Sequence, residues 1–408
     1  MKTVLDRFLE YCSMDTTSDE ESTSYPSTPN QLALGKRLAE ELIQLGLSEG
    51  EQDQYGYVTA TIPATAGEGG KVLGLVAHMD TSAAVSGANI KPRIVDYQGG
   101  DIPLDGAGGY VLSVEQFPQL EECVGKHLVV TDGSTLLGAD DKAGVAEIVT
   151  LAQRLMAPDA PPHGKIRVAF TPDEEVGSGT KYFDVKKFGA DVAYTVDGGP
   201  LGEVEYENFN AATAMVTIQG RNIHPGAAKD KMINAAAVAC EFQGLLPHNQ
   251  QPAFTEGYQG FYHLVSIRGN IEGCVMKYAL REHDAQKFQG QKDWLAAVAA
   301  QLNTRWGEGT VQVDIKDSYF NMRQVMENHM YLIDRACAAF RSQGVEPMIQ
   351  PVRGGTDGAR LSYAGLPCPN LSTGGYNFHS RFEFIPVESM ETMVDVLWDL
   401  VYRFVEEK

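Results

Sequence analysis

Apolar runs that end in a histidine or a carboxylate recur along this chain of 408 residues. They read VLGLVAHMDTS (72–82), TLLGADDKAG (135–144), RVAFTPDEEVGSG (167–179), VAYTVDGG (192–199) and, far downstream, GGYNFHSRFEF (374–384). The runs at 57–62, 72–77, 128–131, 166–171 and 192–196 are rich in β-branched residues and have strand character. Between them, 143–156 (AGVAEIVTLAQRLM) sets Val145, Ile148, Val149, Ala152, Leu155 and Met156 at helical spacing. Strands alternating with helices predict an α/β fold, a mixed sheet flanked by helices. Ligands of such sheets bind beyond the carboxyl ends of the strands. Imidazoles and carboxylates placed there share one crevice, and that crevice suits metal ions.

The formal net charge of −21 argues against nucleic acid or an anionic membrane surface as a partner. No run of 18 apolar residues is present, so no membrane span is expected. The opening MKTVLDRFLEYC is interrupted by Asp6, Arg7 and Glu10, and reads as an amphipathic helix rather than a signal-peptide core. Cysteines 12, 123, 240, 274, 337 and 368 show no CxxC spacing. They suit buried thiols in a reducing compartment, so a cytoplasmic location is expected.

A polar loop at 13–30 precedes a helix at 31–46 that Gly46 ends. The Gly-rich stretch 85–126 has no clear periodicity. From 208 the pattern becomes strand (212–220), helix (234–246), two strands (261–269 and 274–284), helix (286–307) and strand (310–319). That βαββαβ order predicts a ferredoxin-like α+β unit. If His379 joins the first crevice, this unit interrupts one domain. The expected organisation is therefore 1–207, an inserted lid at 208–320, and 321–408.

In His78-Met79-Asp80 alternate side chains of an extended segment share a face, so Asp80 can accept the ring N–H of His78. Asp140-Asp141 precede a helix, where one Asp has sufficient reason to be as an N-cap and the other can bridge two cations. Glu174 and Glu175 are neighbours whose side chains point apart, one able to ligate metal while the other serves as base. Asp197 and His379 taken singly are ordinary turn residues. Their conjunction, in an acidic chain with nine histidines, fits a two-metal site with open positions for water and substrate. Mixed imidazole and carboxylate donors favour zinc, with cobalt or manganese as substitutes.

Three further residues have two readings each. His224-Pro225-Gly226 is either a surface turn or an imidazole delivered over the site by lid closure to face an oxyanion. Arg353 in RGGTDG lacks the Lys-Ser/Thr ending of a phosphate loop, which leaves carboxylate or backbone recognition. Arg281 in ALREHD has the same use, or a cross-strand acidic partner.

At these residues the chain resembles the dizinc aminopeptidase and deacylase family, peptidase family M20. The resemblance covers the whole chain, including HMDTS, TDGSTLLGADDKAGVAEI, FTPDEEVG, VAYTVDGG, HPGAAKDKMINA, RGGTDGARLS and GGYNFH. The N-terminal DTTSDEESTSYPST and the segment TEGYQGFYHL are narrower and point to a branch that acts on tripeptides. The resemblance implies two zinc ions: His78, Asp140 and Asp197 on one, and Asp140 (bridging), Glu175 and His379 on the other. It further implies Glu174 as general base, Asp80 as orienter of His78, and a cis peptide between Asp140 and Asp141. His224, Arg281 and Arg353 match the family's lid histidine and substrate-binding arginines. The activity implied is release of the N-terminal residue of a tripeptide. The alternatives are a dipeptidase, an N-acyl amino acid deacylase, or a non-catalytic peptide-binding protein on the same fold. A dinucleotide-binding protein is disfavoured because no GxGxxG follows the early strands. Both a monomer and a homodimer through the lid, with His224 serving the neighbouring subunit, remain open.

Overall fold

The computed structural model describes residues 2–67 and 70–405. Met1 and residues 406–408, at the outer ends of the two segments flanking the expected insertion, lie outside the described residues. The chain divides into two compact units. The first comprises Met1–Tyr206, Val325–Ile349 and Thr356–Lys408, and the second Glu207–Gln324 with Gln350–Gly355. Residues 350–355, with Arg353, thereby group with the second unit. No helix among the described residues is long and apolar enough to cross a membrane.

The first unit is built on an eight-stranded sheet. At its centre, Leu73–His78 pairs in parallel with both Ile166–Thr171 and Val192–Val196. All three strands are buried along their whole length, because elements cover both faces, and this accounts for their nearly unbroken apolar sequences. On one face Val76, Ala169 and Ala193 pack with Phe188, Leu361, Leu366 and Cys368. The helix Ala139–Leu155 also packs on Leu73–His78 and Val192–Val196. A Cβ on Gly144 of that helix would stand 2.0 Å from Val196 O, so glycine alone permits the approach. Val58–Ile62 joins antiparallel to Ile166–Thr171, which makes the sheet mixed.

The run at 128–131 departs from the expectation that it belongs to this sheet. His127–Val130 instead forms a separate three-stranded sheet, antiparallel to Arg93–Asp96 and to Phe384–Pro386. The Gly-rich stretch that resisted assignment supplies Arg93–Asp96, the small pair Ile102–Pro103 with Val111–Leu112, and a 3-10 helix at Pro118–Cys123. Its core is local, with Tyr97, Leu104, Leu120, Leu128 and Phe384 among the buried residues.

In the second unit Asn210–Gln219, helix Ala235–Gly244, Phe261–Gly269, Gly273–Glu282, helix Ala285–Trp306 and Val311–Tyr319 follow in the ferredoxin-like order. The sheet runs Phe261–Gly269, Gly273–Glu282, Asn210–Gln219, Val311–Tyr319, antiparallel throughout. Phe242, Met276, Tyr278 and Leu295 lie in its core.

One buried group in the first unit opposes the fold. Glu147, on the helix Ala139–Leu155, is fully buried, and neither carboxylate oxygen has a hydrogen-bond partner among the described residues. Burial holds its carboxyl protonated well above the usual carboxylate range. Unfolding exposes a carboxyl that ionises near 4.5, so stability is lost as pH rises above that value. Glu147→Gln removes this dependence. Its stability advantage over the parent should be absent below about pH 4.5 and grow by about 1 kcal/mol per pH unit above it. Urea unfolding of both proteins from pH 4 to pH 8 measures this, and a pH-independent difference would contradict it.

Candidate metal centre

Parallel pairing sends the ends of the three central strands to one edge of the sheet. His78 is the last residue of its strand, Asp173-Glu174-Glu175 follow Thr171, and Asp197 follows Val196. The small sheet delivers the remaining two donors. Asp140 lies downstream of His127–Val130, and His379 lies just before Phe384–Pro386.

At their meeting point His78 Nε2 is 2.9 Å from Asp140 Oδ1 and 3.6 Å from Asp197 Oδ1. His379 Nε2 is 3.0 Å from Asp140 Oδ2 and 2.9 Å from Glu175 Oε1. Asp140 therefore offers one oxygen to each imidazole, and each imidazole has a second carboxylate beside it. Glu175 Oε1 is buried, and despite its nearness to His379 it lacks the alignment of a hydrogen bond. An orphaned carboxylate oxygen beside an imidazole fits a cation ligand. Two imidazole nitrogens and three carboxylates suit a borderline divalent metal.

Neighbouring carboxylates fix this arrangement through the backbone. Asp80 is fully buried, and its two oxygens accept the N–H groups of Glu174 (3.0 Å) and Glu175 (3.1 Å). His78 Nδ1 is 3.0 Å from the backbone carbonyl of Asp80 and 3.3 Å from its carboxylate, so the nearer acceptor is the carbonyl. Asp80 thus braces the acidic turn as well as the imidazole. The bond between Asp140 and Asp141 is cis, and both residues have non-helical backbone angles. Asp141 accepts the N–H of His78 (3.0 Å) and that of Gly144 (3.2 Å). Its oxygens lie near enough to His78 and Asp197 to form a donor group, as do those of Asp140 and Glu175 with His78. The two N–H bonds give Asp141 the capping task and leave Asp140 as the shared donor. Asp173 holds the far side of the turn, accepting the Ser27 N–H (2.6 Å) and the Gln31 side-chain amide (2.7 Å).

Burial dominates the titration of these acids. It pushes Glu175 up to about 7, against the pull of His379. It also holds Glu174 well above the carboxylate range, opposed by His78 and reinforced by Asp197, Asp357 and Glu175. Asp140 goes the other way, because contacts with His379 and His78 outweigh its burial. The hydrogen bond to Asp140 and the nearby Glu175 carboxylate carry His379 up to about 11.

His224, Arg281 and Arg353 belong to the second unit. His224 is exposed, and its Nδ1 accepts the N–H of Gly226 at 3.1 Å. The neutral ring then carries its proton on Nε2, as a donor. Arg281 donates to its own strand at Leu280 O, and its guanidinium lies 5.5 Å from the Tyr319 ring centre. Arg353 is bound to one loop, donating to Gly257 O, Gln259 O and both Thr255 oxygens.

Two acids beside the centre had no role in the sequence reading. Asp357 is buried, accepts the Thr171 hydroxyl at 2.8 Å, and is pushed up to about 7 by that burial. Glu383 is buried and accepts N–H groups from the Asp140 segment. The visible sign of Glu383 was a single acid between two phenylalanines in FEF.

Residues 131–403 match the profile of peptidase family M20/M25/M40. The peptidase T of Caldanaerobacter subterraneus subsp. tengcongensis is 51% identical over 98% of both chains. Among solved structures, aminopeptidase PepT from Bacillus cereus has a TM-score of 0.77 at 22% identity, covering 99% of this chain and 98% of that one. A dinuclear metal binding M20 peptidase from Bacillus subtilis has a TM-score of 0.65 at 15% identity, with the same coverage. These two share the fold. The chain belongs to peptidase family M20/M25/M40, within its peptidase T branch.

Proposed function

We propose that this chain is a metal-dependent aminopeptidase that removes the N-terminal residue from tripeptides. The observation that carries this reading is the division of Asp140 between two imidazoles, each with its own second carboxylate. His78, Asp140 and Asp197 would hold one Zn(2+), and Asp140, Glu175 and His379 a second, with cobalt or manganese as substitutes. Bound there, such ions supply Lewis acidity that polarises a carbonyl and acidifies water. The peptidase T names of the relatives support the substrate class.

Glu174 is the proton carrier. It takes a proton from the water that attacks the first peptide carbonyl, and returns it to the leaving amine as the C–N bond breaks. Its buried setting favours a carboxyl that can hold a proton. Asp80 keeps Glu174 and Glu175 in register through their backbone N–H groups. His224, with Gly226 on Nδ1, presents Nε2–H as a donor for the oxyanion. Arg281 is the candidate cation for the peptide carboxylate. Arg353 acts through the loop 255–259 that it holds. The cytoplasmic location expected from the sequence belongs to the same proposal.

Glu174→Gln should lower kcat by about 10²–10⁴-fold while bound metal stays at the parent level. Near-parental turnover in that variant removes Glu174 from the role. For substrate class, metal-replete protein is incubated with a tripeptide, a dipeptide and an N-acylated amino acid, and products are identified by mass. Cleavage of the tripeptide alone, at its first bond, is expected. Equal cleavage of all three would reduce the reading to general M20 hydrolysis.

A further inference from the structure

We propose that Glu383 is a positioning residue that sets the gap between Asp140 and His379, and thereby the second cation position. This rests on the two-cation reading above. Asp140 and His379 are the two donors that do not end a strand of the main sheet, so parallel pairing does not place them. Another device must bring an oxygen on one segment to within 3.0 Å of a nitrogen on the other.

Glu383 is 2% exposed and spends both carboxylate oxygens on the segment that carries Asp140. Oε2 accepts the N–H groups of Leu137 (2.7 Å) and Gly138 (2.9 Å), and Oε1 accepts that of Asp140 itself (3.2 Å). The helix that begins at Ala139 has no side-chain cap from its own N-cap residue, Gly138. The Asp140 N–H, in the first turn, is an orphan by geometry, and a carboxylate brought from 383 satisfies it together with the Leu137 and Gly138 N–H groups just ahead of the helix.

The other end of this tether is rigid. Tyr376 and Phe384 exchange backbone hydrogen bonds of 2.9 and 3.1 Å, closing the loop that has His379 near its tip. Inside it the Ser380 hydroxyl donates to Asn377 O (2.6 Å) and accepts from Phe382 N (3.1 Å). His379 itself is held at φ 59°. Phe384, next to Glu383, pairs with Val130 of the strand that leads to Asp140. Glu383 and His379 therefore move as one body, and the carboxylate links that body directly to the backbone of Asp140. His78 and Asp197 stand on paired parallel strands and do not depend on it.

Glutamine at 383 keeps the shape but has one acceptor oxygen for three donors, and it turns an amide N–H toward an N–H. Zinc titration of the metal-free protein against a competing chelator, with elemental analysis, separates the two binding events. In Glu383→Gln the second ion, which depends on both Asp140 and His379, should bind about 10–100-fold more weakly, and the first, which shares only Asp140, should be weakened less. Glu383→Asp keeps the charge with a shorter reach and should fall between. It also serves as the test variant if the glutamine form does not fold. His379→Ala marks the signature of losing the second position outright. Two ions bound with parental affinity in both 383 variants, or both ions weakened equally, would overturn the proposal. Equal weakening, with a lower unfolding midpoint of the metal-free protein, is the mark of a merely structural residue. A parent that binds fewer than two ions would instead defeat the two-cation reading, whatever Glu383 does.

Discussion

Asp140 places one oxygen 2.9 Å from His78 Nε2 and the other 3.0 Å from His379 Nε2, and the architecture of the first unit converges on that division. His78 arrives on a central strand whose parallel neighbours bring the Glu174-Glu175 turn and Asp197 to the same edge. Asp140 and His379 arrive from a different sheet, through two segments whose strands pair antiparallel. The centre is thus a junction between two sheets, and it needs two kinds of positioning. Strand register places donors along the main sheet edge, whereas side-chain carboxylates fasten the loops.

This difference explains what the sequence could reveal. Apolar runs ending in His or Asp are a local pattern, so the strand-end placement of His78, Asp197 and the acidic turn was readable from strand character, whereas their reading as ligands needed the conjunction. The alternation of strand and helix, and the βαββαβ order after 208, were equally readable. Sheet membership of 128–131 was not, because a short β-branched run looks the same in any sheet, and its partners lie some 30 residues before and 250 after it. Nor was the task of each aspartate in Asp140-Asp141. The pair suggested one cap and one ligand, and the bonds from His78 N–H and Gly144 N–H to Asp141 decide which is which. Asp80 was read as a partner of the imidazole, but its bonds to the Glu174 and Glu175 backbone depend on a fold that brings residues 80 and 174 together.

Arg353 shows the same limit from the other side. Its glycine-flanked setting suggested carboxylate or backbone recognition and left the two open. In the fold its donors are met by carbonyls around 255–259, and its guanidinium stands 5.0 Å from the Phe209 ring centre. A composition that suits ligand binding also suits a close-packed backbone clamp, and spacing alone does not separate them.

The acids around the centre also constrain its contents. A carboxylate removed from water is costly unless it is paired or hydrogen-bonded. Asp80, Asp141 and Glu383 meet that requirement with backbone N–H groups, and each is committed to holding structure. Asp140, Glu175 and Asp197 are not so supplied. Their nearest partners are two imidazoles that they must share. Lys142 is buried nearby, but its ammonium donates to Met14 O at 2.7 Å and braces the loop rather than the acids. The carboxylates therefore sort by partner. Those satisfied by backbone amides build the frame, and those left to share imidazoles have capacity for a divalent cation.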